Sequence, residues 1–198
     1  GTENIMMAAV LAKGQTVLRN VAKEPEVEDL ANFLNSMGAK VNGAGTDEII
    51  IDGVDDLKGT EFSIPADRIE AGTYLIAAAI TGGDLTISNI EAPRMNNILD
   101  KLKLSGASIN IGDDYIQLIM KEDSILPVDI STAPFPGFPT DMQAQFTVLN
   151  ALSKGSSVVT ENVFENRFMH VQELNRMGCD ITVKGSNAFI KGVDCLNG

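Results

Sequence analysis

The chain has 198 residues, of which 44% are hydrophobic and 21% are charged, and its formal net charge is −12 at pH 7. This composition predicts a globular protein of one or two domains with a real hydrophobic core. The acidic charge argues against nucleic-acid binding, which relies on clustered Lys and Arg, and no apolar run approaches the roughly 20 residues that span a membrane.

Three segments of the sequence repeat one pattern, and each contains an apolar helix-like stretch that leads to a glycine. The predicted helices and their glycines are residues 3–12 with Gly14, residues 69–80 with Gly83, and residues 141–152 with Gly155. Short strands predicted at residues 61–64 and 128–131 precede the second and third helices. The first two helices are nearly apolar on all sides, so we expect the helices to be enclosed and the sheets to lie outside them.

Each copy continues with a short strand, a second helix and a hairpin. The strands are predicted at residues 16–18, 85–87 and 157–159, and the helices at residues 27–37, 95–102 and 168–177. Gly38, Gly106 and Gly178 follow these helices, as suits a left-handed helix cap. Hairpins are predicted at residues 41–51, 109–119 and 181–190. The sequence thus predicts an α/β fold of β-α-β-α-β-β units, each of about 65 to 70 residues.

The two cysteines and the single histidine do not suggest a metal site. Cys179 and Cys195 form no CxxC motif, and His170 is the only histidine. We expect buried or idle thiols in a reducing cytoplasm and no metal or other cofactor. The apolar run at residues 6–11 lacks the basic flank and the cleavage site of a signal peptide, which also predicts a cytoplasmic protein.

A proline-rich segment before the third apolar helix contains the first candidate site. Three prolines at positions 134, 136 and 139 stiffen the approach to Thr140 and Asp141, where a helix is predicted to begin. Gln143 is placed to complete a capping interaction, and an Asp here ordinarily complements the helix dipole. A rigid loop that presents a carboxylate also suits a positioned general base, so both interpretations stay open.

A second polar segment, residues 161–170, reads ENVFENRFMH and links a strand to the next helix. The equivalent loops at residues 20–26 and 89–94 are also polar, and loops held by a scaffold often have functional roles. Simpler interpretations stay open, with Asn162 as a helix cap and Arg167 as a solvated charge. We expect His170 to be a structural or surface residue.

Both segments resemble the UDP-N-acetylglucosamine 1-carboxyvinyltransferases, a family of enolpyruvyl transferases in peptidoglycan synthesis. The matching runs are FPTDMQAQF at residues 138–146 and ENVFENRFMH at residues 161–170, with further matches at residues 2–9, 22–26 and 67–73. The resemblance implies two domains, each an inside-out α/β barrel of three β-α-β-α-β-β units with buried helices. Residues 1–64 would be the last unit of the catalytic-loop domain, and residues 65–198 would be two units of the second domain.

The resemblance also implies a reaction and roles for individual residues. The family transfers the enolpyruvyl group of phosphoenolpyruvate to the 3-hydroxyl of UDP-N-acetylglucosamine and releases phosphate. Asp141 matches the base that contacts this hydroxyl. Three residues match the lining of the sugar pocket: Thr140, Val163 and Phe164. Glu24 matches a carboxylate at the cleft between domains, and Arg167 is its expected ion partner on the facing loop.

Other parts of the family's site have no match in this chain. The proton donor, usually a cysteine on a mobile loop, lies upstream, and Cys179 and Cys195 do not match it. Most of the Lys and Arg that hold the anionic substrates also lie outside, in keeping with a charge of −12. The resemblance therefore implies an internal fragment of the enzyme, inactive alone, whose partner is the missing half and whose unpaired apolar faces favour self-association. Alternatives are a non-catalytic repeat scaffold or interaction module and a shikimate-pathway enolpyruvyl transferase.

Overall fold

The computed structural model of the chain describes residues 1–121 and 125–198. The chain divides into two compact units. One comprises Gly1–Pro65 with Pro134–Pro136, and the other comprises Ala66–Ala133 with Gly137–Gly198.

The first unit packs two helices against a three-stranded sheet. Its elements are α1 (Thr2–Ala9), β1 (Gln15–Arg19), α2 (Pro25–Ser36), β2 (Lys40–Asn42) and β3 (Glu48–Asp52). The sheet has the order β1-β3-β2 and is antiparallel throughout, because β3 pairs with β1 on one side and with β2 on the other. Met6, Val27, Leu34, Ile49 and Ile51 form the centre of its core.

The second unit contains two sheets and a shared core. Its first half comprises α3 (Arg68–Ile80), β4 (Asp84–Ser88), a 3-10 turn (Ala92–Met95), α4 (Asn96–Leu104), β5 (Ser108–Ile111) and β6 (Tyr115–Ile119), with the sheet order β4-β6-β5. Its second half comprises β7 (Ile130–Ser131), a 3-10 turn (Thr140–Met142), α5 (Gln143–Ala151), β8 (Ser156–Thr160), α6 (His170–Arg176), β9 (Asp180–Lys184) and β10 (Asn187–Lys191). The second sheet has the order β7-β8-β10-β9, in which β7 runs parallel to β8. Helix α3 packs against α5, and both contribute to one hydrophobic core.

The repeated glycines have repeated backbone roles. Gly38, Gly106 and Gly178 follow α2, α4 and α6 with φ angles of 101°, 100° and 99°, so the predicted left-handed caps are confirmed. The carbonyl of Gly14 accepts a hydrogen bond from Gly53 N–H. The carbonyls of Gly83 and Gly155 accept the equivalent bonds from Met120 and Gly192.

One predicted strand is absent from the structure, and another is shorter than predicted. Residues 61–64 form no strand, and the ring of Phe62 instead lies 5.1 Å from the ring of Phe33 on α2. The strand predicted at residues 128–131 is reduced to Ile130–Ser131, the two residues that pair with β8. A strand exists only where its backbone is paired, and these local sequences do not reveal the partner.

The expected enclosure of the apolar helices is incomplete in this chain. In α1, Met6 and Ala9 are buried, whereas Ile5 and Met7 are exposed. In α3, Leu75 is buried and Tyr74 is exposed. Each helix has apolar residues on several sides but packs against neighbours on only some of them. Across residues 1–121 and 125–198, no helix has the length and apolar character needed to cross a bilayer.

Candidate functional site

Two loops start from the same edge of a sheet in the second unit. Ser131 and Thr160 are the last residues of β7 and β8, which are parallel neighbours paired at these positions. The chain continues from β7 towards Thr140 and from β8 into residues 161–169. Because parallel strands end at the same edge, the two loops begin side by side. Thr132 N–H donates to Thr160 O over 2.9 Å and fixes this junction.

Glu161, the first residue after β8, joins the two loops. Its side chain is buried, with the residue only 4% exposed, and its carboxylate accepts hydrogen bonds from both loops. Oε1 accepts from Thr132 Oγ1 at 2.8 Å, from Val163 N at 2.9 Å and from Phe164 N at 3.1 Å. Oε2 accepts from Thr140 Oγ1 at 2.8 Å. Glu161 thus connects Thr140, at the start of the 3-10 turn, to the backbone of the loop that follows β8.

The environment of Glu161 favours its ionised form. Burial by itself raises the pKa of this carboxyl group, but the hydrogen bonds from Thr132, Thr140 and the N–H groups of Val163 and Phe164 outweigh it, so that the pKa lies below its ordinary value. A buried carboxylate with this many donors is a satisfied charge, and it fixes the groups that bond to it.

The hydroxyl of Thr140 connects Glu161 to a cation. While it donates to Glu161, it accepts a hydrogen bond from Arg167 Nη1 at 2.9 Å. Nη2 of the same guanidinium donates to Asp141 Oδ1 at 2.7 Å. The guanidinium carbon of Arg167 also lies 5.1 Å from the centre of the Phe164 ring, within the range of a cation–π contact. Arg167 thus holds both Thr140 and Asp141, which are neighbours on the 3-10 turn.

Asp141 presents its carboxylate at the surface. Its side chain is 56% exposed, whereas that of Arg167 is 35% exposed. The contact with Arg167 uses Oδ1, and within residues 1–121 and 125–198 no hydrogen bond to Oδ2 occurs. The carboxylate is therefore oriented on one side and available on the other, which suits a group that accepts a proton from a bound hydroxyl.

The loop after β8 has a defined path. Asn162 Nδ2 donates to Ser131 Oγ at 2.9 Å and to Thr132 O at 3.1 Å. Asn166 adopts a left-handed backbone with φ of 56°. The loop lines a cavity of about 830 Å³ together with residues of α6 and β9, such as Gln172 and Ile181. The side chain of Phe164 is part of this lining.

The structure brings most of the predicted site residues together. Thr140, Asp141, Val163, Phe164 and Arg167 lie within one network of contacts in the second unit. Arg167 pairs with Asp141 and is not a free solvated charge. Asp141 lies in the first turn of the 3-10 helix, as its dipole interpretation expects, and no side chain caps that turn or α5 at its start.

The remaining candidate residues have other surroundings. Glu24 lies in the first unit, where it precedes α2 without a side-chain capping bond and is half-buried. Asn162 bonds to the strand β7 and the residue after it, and is not a helix cap. Gln143 is buried at the start of α5, and its amide makes no hydrogen bond to the described residues, so the predicted capping interaction is absent.

The histidine and the cysteines lie outside this network. His170 is half-buried beside Phe168, and burial lowers the pKa of its imidazole. Cys179 is buried, which raises the pKa of its thiol, and Cys195 is exposed. In the part of the chain that the structure describes, no three His, Cys, Asp or Glu side chains are grouped as they would be to hold a metal ion.

Sequence reasoning missed Glu161 as a site residue. The internal repeat contained a signal, since Asn20 follows β1 and Asn89 follows β4 as Glu161 follows β8. Both asparagines have left-handed backbones, with φ of 55° and 60°. A glutamate at a position that is asparagine in the other two copies marks a local specialisation of the third copy.

Fold and sequence together define the class of protein. The whole chain, residues 1–198, matches the family EPSP synthase (3-phosphoshikimate 1-carboxyvinyltransferase), and the chain belongs to this family. The chain is 56% identical over 198 residues to the UDP-N-acetylglucosamine 1-carboxyvinyltransferases of Coxiella burnetii (strain Dugway 5J108-111) and Aeromonas hydrophila. All of the chain is matched, but only 46% and 47% of those relatives, so it spans about half of their length.

Solved structures show the same fold. The enolpyruvyl transferase NikO from Streptomyces tendae matches 95% of the chain with a TM-score of 0.83 at 24% sequence identity, and the match covers 45% of that protein. An EPSP synthase from Acinetobacter baumannii matches the entire chain with a TM-score of 0.51 at 18% identity, over 46% of its own length. The chain therefore has the α/β fold of enolpyruvyl transferases.

Proposed function

We propose that this chain is part of an enolpyruvyl transferase that moves the carboxyvinyl group of phosphoenolpyruvate to the 3-hydroxyl of UDP-N-acetylglucosamine. The observation that carries the proposal is the Asp141 carboxylate, which Arg167 holds through Oδ1 while the side chain stays 56% exposed, in a chain 56% identical to enzymes of that name. The reaction would be the first committed step of peptidoglycan synthesis, which takes place in the cytoplasm and supports cell growth and division.

Asp141 is the proposed general base. As the sugar hydroxyl forms a bond to C2 of phosphoenolpyruvate, its proton passes to the Asp141 carboxylate, while C3 of phosphoenolpyruvate gains a proton from a donor outside this chain. The resulting tetrahedral intermediate loses a proton from C3 and releases phosphate, which restores the double bond. A positioned base of this kind contributes about 10²- to 10⁴-fold to a rate.

The neighbouring groups are suited to orienting the sugar. Phe164, with its side chain exposed and its ring against Arg167, offers an apolar wall on which a sugar ring packs. Val163 and Thr140 complete the proposed pocket beside Asp141. Arg167 is a proposed substrate-binding cation of the second unit and has the further role of holding Asp141. Glu24 is a proposed substrate-binding carboxylate of the first unit.

The finer architecture is part of the same proposal. Residues 1–64 are the last unit of the catalytic-loop domain, and residues 65–198 are two units of the second domain, in a protein of six units built as inside-out barrels. The packing of α3 against α5 supports this arrangement. So does the antiparallel strand order that recurs as β1-β3-β2, β4-β6-β5 and β8-β10-β9. The missing half of the enzyme supplies the proton donor and the groups that bind phosphate.

A shikimate-pathway enzyme is the second candidate, because the matching family takes its name from 3-phosphoshikimate 1-carboxyvinyltransferase. The test is phosphate release by the full-length protein that contains this chain. With phosphoenolpyruvate present, we expect turnover with UDP-N-acetylglucosamine and none with shikimate 3-phosphate. The reverse preference would select the second candidate, and binding without turnover in either case would indicate a non-catalytic scaffold.

A further inference from the structure

We propose that Glu161 is a positioning residue, which orients Asp141 for proton transfer through Thr140 and Arg167. The inference rests on the proposed function, since it assigns a role within the same site. Glu161 itself is buried, whereas the side chains of Asp141 and Phe164 are exposed. It acts on the reacting carboxylate through two hydrogen-bonded side chains.

The first argument is the direction of the hydrogen bonds. The ionised Glu161 is an acceptor only, so the Thr140 hydroxyl must donate its single proton to Oε2 over 2.8 Å. A lone pair of the Thr140 oxygen is then available to Arg167 Nη1 at 2.9 Å. The charge on Glu161 therefore determines which way the Thr140 hydroxyl points and gives Arg167 a fixed acceptor.

The second argument is the geometry of the guanidinium. Its two terminal nitrogens are held by different acceptors, Nη1 by Thr140 and Nη2 by Asp141. Because a guanidinium group is planar and rigid, fixing one terminal nitrogen defines the direction in which the other donates. Fixing Nη1 thus fixes the approach to Asp141 Oδ1, and with it the orientation of the free oxygen Oδ2.

The third argument comes from the internal repeat. Thr160 is paired with Asn187 in the last rung of β8 and β10, and the N–H of the next residue, Glu161, bonds to Ser186 O at 2.8 Å. In the first copy, Arg19 is the last residue of β1, and the N–H of Asn20 bonds to Asp47 O at 2.9 Å. The same backbone bond thus forms with asparagine in the first copy, where Asn20 has a left-handed φ of 55°, and the buried glutamate serves the loops specific to the third copy.

The principal test is the substitution Glu161→Gln in the full-length protein. The amide keeps one oxygen for the Oε1 donors but puts an NH₂ group opposite Thr140, so the bond with Thr140 must reverse or break. We expect kcat/KM for UDP-N-acetylglucosamine to fall about ten-fold or more, the range expected for a hydrogen bond to a charged group. The KM for phosphoenolpyruvate should stay within about two-fold, because the network lies on the sugar side.

Thr140→Val tests the proposed route. This variant removes the intermediate hydroxyl, and in its background Glu161→Gln should lower kcat/KM by less than about two-fold, since coupled residues are not additive. Thr140→Ser retains the hydroxyl and should retain most of the activity. Glu173→Gln is the matched control, because Glu173 is an exposed carboxylate paired with Arg176 outside the site. Its kinetics should equal those of the unmodified protein.

Two kinetic results would overturn the inference. One is an unchanged kcat/KM in Glu161→Gln despite a lower melting temperature, which would make Glu161 a purely structural residue. The other is a full additional loss in the Thr140→Val background. If the unmodified protein transfers no enolpyruvyl group, the proposed function is wrong. A crystal structure of Glu161→Gln then decides separately, because an unmoved Arg167 would contradict the positioning role.

Discussion

Arg167 and Asp141 are 26 residues apart in sequence, yet Arg167 Nη2 donates to Asp141 Oδ1 over 2.7 Å. Both side chains are substantially exposed, and exposed ion pairs contribute only about 0–1 kcal/mol to stability. The contact therefore matters little for folding. Its main consequence is that one oxygen of Asp141 is fixed and the other remains available.

Replacing Arg167 with Ala should reduce activity much more than stability. The substitution removes the bond to Asp141, the bond to Thr140 and the contact with the Phe164 ring. We expect kcat/KM for the sugar nucleotide to fall at least ten-fold in steady-state phosphate-release kinetics, with the free energy of unfolding reduced by no more than about 1 kcal/mol. Arg167→Lys should recover only part of the loss, because an ammonium group lacks the planar fork.

Arg176→Ala is the control for this prediction. Arg176 forms an exposed ion pair with Glu173 within α6 and is not part of the candidate site. Its removal should leave kcat/KM unchanged. Equal losses of activity in both variants would attribute the effect to net charge rather than to the Asp141 contact.

Asp141→Asn should separate binding from chemistry. The amide has nearly the same size and retains an oxygen for Arg167, but it does not accept a proton at neutral pH. We expect kcat to fall about 10²- to 10⁴-fold, while the dissociation constant of UDP-N-acetylglucosamine, measured by calorimetry, changes by less than about five-fold. Near-normal turnover would remove Asp141 from the role of base.

Much of the scaffold could be predicted from the sequence, because its signals are local. Glycines after helices predicted the caps at Gly38, Gly106 and Gly178, and short β-prone runs around polar turns predicted the hairpins. The absent strand at residues 61–64 could not be predicted in the same way, because strand formation depends on a distant pairing partner.

The site was predictable in its residues but not in its connections. Thr140, Asp141 and Arg167 stand in recognisable motifs, whereas the side chain that joins them, Glu161, appears in sequence as one acidic residue in a polar loop. Burial determines its role, and burial depends on how β7 and β8 pair. No local pattern around residue 161 contains that information.

Gly192→Ala should destabilise the fold of the second unit. A Cβ at this position would collide with the backbone carbonyl of Ser153, and Gly53 is placed in the same way against Ala12 O in the first unit. Because a backbone atom has little room to move, we expect a loss of about 3 kcal/mol in denaturant unfolding of the full-length protein. Gly59→Ala, where no atom lies within 4 Å of the new Cβ, should change stability by less than about 0.5 kcal/mol. Equal effects at both positions would contradict the steric explanation.

His170 should make stability depend on pH in the mildly acidic range. Burial lowers the pKa of its imidazole below the ordinary 6.5, so between the two values the unfolded chain binds more protons than the folded one. Stability therefore falls as pH drops below about 6.5 and through the lower folded-state pKa. The variant His170→Asn does not titrate there. The unfolding free energy of the unmodified protein minus that of the variant should therefore become smaller from pH 7.5 to pH 5. Parallel curves would show that burial does not perturb this imidazole.

The isolated 198-residue chain should not turn over substrate, although it contains the proposed base. The chain spans about half of its relatives, and the proposed reaction also needs a proton donor at C3 of phosphoenolpyruvate and cations around its phosphate. We expect no phosphate release above background when the purified chain is mixed with phosphoenolpyruvate and UDP-N-acetylglucosamine, and recovery of turnover when the complementary segments of the full-length protein are added. The Asp141→Asn chain with the same segments is the control and should stay near background. Robust turnover by the unmodified chain alone would mean that its own residues complete the site.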